Sequence, residues 1–117
     1  MAKSNVEIAK EYCTSMSEKN IEKIATYLHP DVEFLGPLSE VKGKEKYCET
    51  LKGFMDLFKT YDVRVICSSE DHVMLAYDVE FFEPAITVRT AALLTIQDNL
   101  IQRIELFFDA RPFDIAK

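Results

Sequence analysis

The stretch from Tyr61 to Phe82, YDVRVICSSEDHVMLAYDVEFF, decides the fold class. Tyr61, Val63, Val65 and Cys67 alternate with Asp62, Arg64, Ile66 and Ser68, a period of two that belongs to strands. Ser69-Glu70-Asp71 supplies a turn, and residues 72–82 read as a second, longer strand. Glu83-Pro84-Ala85 interrupts it, residues 86–97 resume, Asp98-Asn99 turns again and residues 100–109 complete the sheet. Strands joined in this way predict an antiparallel meander.

Upstream of Thr60 the period is helical. Ser4 and Glu7 have the spacing of a capping box, and Val6, Ala9, Cys13 and Met16 follow as an apolar stripe with Ile8 and Tyr12 on its flank. Asn20 caps a second helix with Ile21, Ile24, Ala25 and Leu28 on one face, which Pro30 stops. Asp31 to Leu35 reads as a short strand ended by Gly36-Pro37. A third helix is predicted from about Gly43 to Lys59, presenting Tyr47, Leu51, Phe54 and Phe58. Gly53 within it costs about 1 kcal/mol relative to alanine, which predicts close packing at that point. Helices first and a meander afterwards spell an α+β fold with the helices on one sheet face.

A length of 117 residues predicts a single domain over 1–117. Such a chain buries about two-thirds of its unfolded surface, enough for a core without staples. Its net charge of -6 repels phosphate backbones and predicts no nucleic-acid partner. Three glycines cannot form a glycine-rich phosphate cradle. No apolar run approaches the ~20 residues that span a bilayer, so no membrane partner is expected. Cys13, Cys48 and Cys67 are unpaired in number and widely spaced, and no signal-peptide core precedes them; a reduced, cytoplasmic chain is expected. His29 reads as a structural residue bonding the last carbonyls of a helix, and His72 as an exposed one. Two isolated histidines make no metal site, and no cofactor is expected.

Residues 24–51, IATYLHPDVEFLGPLSEVKGKEKYCETL, and the closing IQRIELFFDARPF of residues 101–113 carry a resemblance. The chain resembles the SnoaL-like branch of the nuclear transport factor 2-like superfamily, which also holds ketosteroid isomerase and limonene epoxide hydrolase. The resemblance implies a cystatin-like cone: three N-terminal helices packed on a strongly curved, mostly antiparallel sheet around an apolar cavity. Set beside ketosteroid isomerase, the inward side chains would be Tyr77, Val79 and Phe81, then Val88, Thr90, Ala92 and Leu94, then Arg103, Glu105, Phe107 and Asp109. Tyr12 stands where that enzyme keeps its oxyanion-hole tyrosine. Gly36 and Ala92 stand where it keeps two acids, so the likeness does not extend to steroid isomerisation by that constellation.

Arg103, Glu105 and Asp109 share one face of a regular strand. Inside a cone they would do acid–base chemistry, with Asp109 moving the proton, Glu105 and Arg103 as electrostatic partners and Tyr12 as hydrogen-bond donor. Outside it they would be an Arg103–Glu105 pair on a solvated strand end, with Asp109 capping the final turn. Phe54, Phe58, Tyr77, Phe81, Thr90, Leu94 and Phe107 are the expected ligand-contacting residues. Two functions follow. One is a pocket for a small apolar or carbonyl-bearing molecule in a cofactor-independent proton-transfer enzyme of isomerase, cyclase, dehydratase or epoxide hydrolase type. The other is a non-catalytic ligand-binding or dimerisation module. A homodimer is expected through an outer sheet face bearing Ile66, Met74, Ala76, Phe82, Ala91, Leu93, Ile104, Leu106 and Phe108.

Overall fold

A computed structural model describes residues 4–111; Pro112 and Phe113 of the closing motif lie outside the described residues. Helix α1 (Asn5–Ser17) opens on the expected capping box, with the Ser4 hydroxyl accepting from the Glu7 amide and the Glu7 carboxylate accepting from the Ser4 amide. Asn20 caps α2 (Ile21–Ala25) through its side-chain oxygen, but that helix is a single turn. Strand β1 (Leu28–Leu35) already begins at Leu28 and runs through His29-Pro30. Proline lacks the amide a ladder needs, and the pairing of β1 with the last strand slips between Leu28 and Glu33. His29 therefore lies in a strand, where its Nδ1 accepts from the Asp31 amide at 2.9 Å rather than its ring bonding helix carbonyls.

Strand β2 (Glu40–Lys42) returns alongside β1 and leads into α3 (Lys44–Met55). This helix ends four residues short of the predicted limit, because Phe58 pairs with Phe81 and β3 begins there, with Lys59 as an unpaired residue at a bulge. Gly53 faces open space, so the close packing expected there is absent. The meander follows as β3 (Phe58–Ser69), β4 (His72–Phe81), β5 (Thr87–Gln97) and β6 (Leu100–Phe107). Together the strands make one sheet in the order β2-β1-β6-β5-β4-β3, parallel only between β1 and β6. No helix among the described residues is long and apolar enough to cross a membrane.

Three bulges in the meander decide which side chains face the helices, the first at Lys59, which leaves both Phe58 and Tyr61 buried. In β3 the register slips between Val63 and Val65, so Val63 pairs with inward Tyr77 while Val65 pairs with outward Ala76. Ile66 thereby pairs with buried Leu75 and joins the inner face, not the outer one expected. In β6 the ladder passes from Ile96–Ile101 directly to Thr95–Arg103, leaving Gln102 as the extra residue. An extra residue reverses the alternation beyond it. Ile101 and Ile104 both face inward, fully buried, and Leu106 and Phe108 follow Ile104 into the concave face. Arg103, Glu105 and Phe107 are turned to the outer face, opposite Thr95, Leu93 and Ala91. The expected inward register of the last strand is thus inverted, and Ile104, Leu106 and Phe108 are removed from the expected dimer face.

Candidate functional site

The concave face and the helices enclose a cavity of about 310 Å³. At about 30 Å³ per molecule in the liquid, that is room for roughly ten waters or one small organic ligand. Helix α1 contributes Tyr12 and Met16, and α3 contributes Tyr47, Thr50, Leu51 and Phe54. The sheet supplies paired inner rows, Tyr77 beside Thr90, Val79 beside Val88, and Leu75 beside Ala92 and Leu106. Leu38 and Leu57, exposed by 58% and 52%, also line the cavity and form its rim. Gly36 and Ala92, the positions of the two missing acids, both line it.

No Asp, Glu, His, Lys or Arg lines this cavity among the described residues. Its conspicuous polar groups are four phenols. The Tyr12 and Tyr47 hydroxyls lie 2.6 Å apart, at the short end of the range for hydrogen bonds between oxygens. The Tyr61 and Tyr77 rings stack with centroids 4.5 Å apart. Burial pushes all four phenols well above their ordinary pKa, and neighbouring phenols add to the effect at Tyr12 and Tyr61. They are therefore neutral hydrogen-bond donors at physiological pH and not bases. Cys13, behind Tyr61, is likewise pushed up to about 12 by burial, which makes it an inert thiol. Of the other two free cysteines, Cys48 is half-buried and Cys67 is exposed.

Of the residues singled out from sequence, Tyr12, Phe54, Tyr77, Phe81, Thr90 and Leu94 line the cavity. Phe58 does not; it is fully buried behind Phe54, with ring centroids 4.9 Å apart. Phe107 is on the outer face. Arg103 and Glu105 meet there at 3.9 Å, both in reach of solvent. Asp109 is exposed and gripped by Arg111, whose Nη2 donates to Oδ2 at 2.6 Å and whose Nε donates to Oδ1 at 2.9 Å. The trio expected to do acid–base chemistry thus stays outside the cavity. Tyr47 and Tyr61 lie within it, although sequence reading placed them only in apolar stripes. Their signal was chemical: tyrosines among otherwise hydrocarbon positions need a partner for the hydroxyl.

The Arg111 guanidinium holds the Asp109 carboxyl down to about 2. A depressed folded-state value means the favourable interaction is present above the ordinary carboxylate pKa and lost as pH falls through the depressed one. NMR titration of the Asp109 carboxyl is expected to show that low midpoint, and Arg111→Ala to return it toward the usual range. A midpoint raised above the usual range would instead place Asp109 in an enclosed site.

Residues 9–104 match the family model described as a SnoaL-like domain. The chain belongs to that family. Solved structures of similar shape include an NTF2-like protein of unknown function from Cytophaga hutchinsonii, with a TM-score of 0.85 at 21% identity over 97% of this chain and 96% of that one. TerC co-crystallised with polyporic acid gives a TM-score of 0.81 at 21% identity, covering 93% and 94% of the two chains. A putative polyketide cyclase from Sinorhizobium meliloti gives 0.80 at 16% identity, covering 86% and 94%. At these identities the likeness is one of fold. No curated protein matches the sequence.

Proposed function

We propose that this SnoaL-like chain binds a small, uncharged, largely apolar molecule in the cone cavity. The short Tyr12–Tyr47 hydroxyl pair would hold the ligand's carbonyl or hydroxyl oxygen. The observation that carries this reading is the lining itself: aliphatic and aromatic carbon with phenol donors and no titratable base among the described residues. A charged ligand would enter without a counter-charge, at a large desolvation cost. A protein of the same fold, TerC, has been co-crystallised with a small molecule, polyporic acid, which supports small-molecule binding in this fold and no particular ligand. Of the two functions raised by the sequence, the binding module is therefore favoured over proton transfer by side-chain carboxylates. What the described lining side chains themselves offer a bound molecule is hydrogen bonding from hydroxyl groups.

The test compares α-tetralone with tetralin, the same bicycle lacking the oxygen, by titration calorimetry. Wild type is expected to prefer the ketone. Tyr12→Phe removes one hydrogen bond and is expected to weaken the ketone about fivefold, from a net hydrogen-bond worth of about 1 kcal/mol, while leaving tetralin unchanged. Equal affinity of wild type for both compounds would overturn the reading.

The outer face supports the expected homodimer with a revised set of residues. Val65, Met74 and Phe107 are nearly half exposed or more, and Ala76, Ala91 and Leu93 lie beside them in adjoining sheet rows. An outer face open to water would be polar at these positions. Charged pairs of both signs flank this band, Arg64–Asp78 at 3.2 Å on one side and Arg103–Glu105 at 3.9 Å on the other. Such an arrangement can complement itself across a two-fold axis. Light scattering at tens of micromolar is expected to give a dimer that Leu93→Glu dissociates with the fold retained; a monomeric wild type would exclude it.

A further inference from the structure

We infer that Phe34 and Gly36 are positioning residues for the Tyr12–Tyr47 hydroxyl pair, and so set how strongly the cavity distinguishes an oxygen-bearing ligand from a hydrocarbon. The inference rests on the reading of that pair as the ligand's polar anchor. Phe34 lies in β1, held on both sides by pairing with Val41 of β2 and Ile104 of β6. Its ring meets that of Tyr47 at a centroid distance of 5.1 Å and an angle of 30°. The backbone ties the same two residues into one frame. The Gly43 amide donates to the Val32 carbonyl at 2.8 Å, and the Tyr47 amide donates to the Gly43 carbonyl at 3.0 Å. Val32 is two residues before Phe34, so the start of α3 and this part of β1 cannot slide independently. Within that frame the Phe34 ring is the contact that orients the Tyr47 ring, and the Tyr47 hydroxyl in turn meets Tyr12.

Gly36 explains why the Phe34 ring can rest there. A Cβ at this position would lie 3.3 Å from Phe34 Cζ and 3.4 Å from Cε2, inside the 3.5–4.0 Å of a comfortable carbon contact. The glycine is not needed for its backbone freedom, since the only glycine with positive φ among the described residues is Gly43. What Gly36 supplies is space for the ring. A methyl group at residue 36 would displace the ring by a few tenths of an ångström, and the Tyr47 ring packed against it would turn. A hydroxyl contact of 2.6 Å is sensitive to such a turn, because hydrogen-bond strength falls off with angle and distance.

The experiment uses Gly36→Ala, Phe34→Leu and the double variant, with tyrosine labelled at Cζ to report each hydroxyl environment by NMR. Both single variants are expected to shift the Tyr47 and Tyr12 Cζ resonances. They are also expected to lower the α-tetralone to tetralin affinity ratio about fivefold, as for loss of one hydrogen bond. Because the alanine acts through the phenylalanine ring, Gly36→Ala in the Phe34→Leu background is expected to add nothing, which a double-mutant cycle measures. Because Phe34 and Gly36 also line the cavity, the ratio and not either affinity alone is read: unshifted resonances, additive effects, or an unchanged ketone-to-hydrocarbon ratio would overturn the positioning role. If wild type fails to prefer the ketone, the anchor reading fails, and the labelled resonances still decide whether Phe34 and Gly36 orient the pair. Should Phe34→Leu not fold, Gly36→Ala alone gives the same decision from the resonances.

Discussion

Ile104→Asp is expected to leave the chain unfolded at neutral pH, whereas Glu105→Gln, one residue away, is expected to change stability by no more than about 0.5 kcal/mol. Ile104 is fully buried on the concave face, paired with Leu94 of β5 and Phe34 of β1. A carboxylate there has no cation in reach of the cavity lining, and an unpaired buried charge costs several kcal/mol. That is a large share of the roughly 5–15 kcal/mol that holds a domain folded. Glu105 faces outward, and its partner Arg103 is itself solvated. The pH dependence has a definite sign. Burial raises the folded-state pKa of the new aspartate above its unfolded value of about 3.9, so the folded state holds the proton more tightly. The penalty grows as pH rises through that interval and is relieved as pH falls. Circular dichroism against pH reads both variants; a stable Ile104→Asp beside an unfolded Glu105→Gln would restore the regular register.

The second large effect is at Phe58, expected from sequence to touch ligand. Phe58→Ala is expected to cost about 3–5 kcal/mol in urea denaturation, the usual range for emptying a buried aromatic site. The ring is 0% exposed, lies between Phe54 and Tyr61, and has the Lys19 ammonium 4.5 Å from its centroid. The same Lys19 donates to the Phe58 carbonyl at 2.6 Å, joining the end of α1 to the start of β3. Phe54→Ala is expected to do the reverse, weakening ligand binding more than folding, because that ring lines the cavity and is only partly buried. A change of less than 1 kcal/mol at Phe58, as at a mobile lining position, would contradict this placement.

These two residues also mark where sequence reading succeeds and where it stops. Period-two alternation runs unbroken through β4 and β5, and there Tyr77, Val79, Phe81, Val88, Thr90, Ala92 and Leu94 are assigned to the inner face and lie in the cavity. In β6 one extra residue, Gln102, reverses everything after it, and nothing in the letters IQRIE distinguishes a bulged strand from a regular one. A strand edge rich in charge then looks like a catalytic row. Tyr12 is placed by resemblance, while Tyr47 and Tyr61 are visible only as members of apolar stripes. A tyrosine packs its ring in the same way whether or not its hydroxyl meets another, and their convergence depends on α3 lying across the sheet. The short reach of α3 is likewise a tertiary effect, since pairing with Phe81 draws Phe58 out of the helical pattern.

The parallel seam between β1 and β6 bears on the order in which the cone comes into being. The last strand is inserted between the first and the fifth, so the hairpins β1–β2 and β3–β4–β5 can each assemble from near neighbours in the chain. Joining them requires residues such as Phe34 and Ile104 to find one another across almost the whole intervening sequence. Closing so long a loop is entropically uphill until the pairing is complete, and it belongs among the slow events of folding. During synthesis the two half-sheets would exist before the cavity does, with the inner faces of β1 and β5 open along the edges that β6 will occupy. Ile101, Ile104 and Leu106 therefore act as the closing seam, and the cavity, which Ile104 and Leu106 line, is incomplete until they are in place.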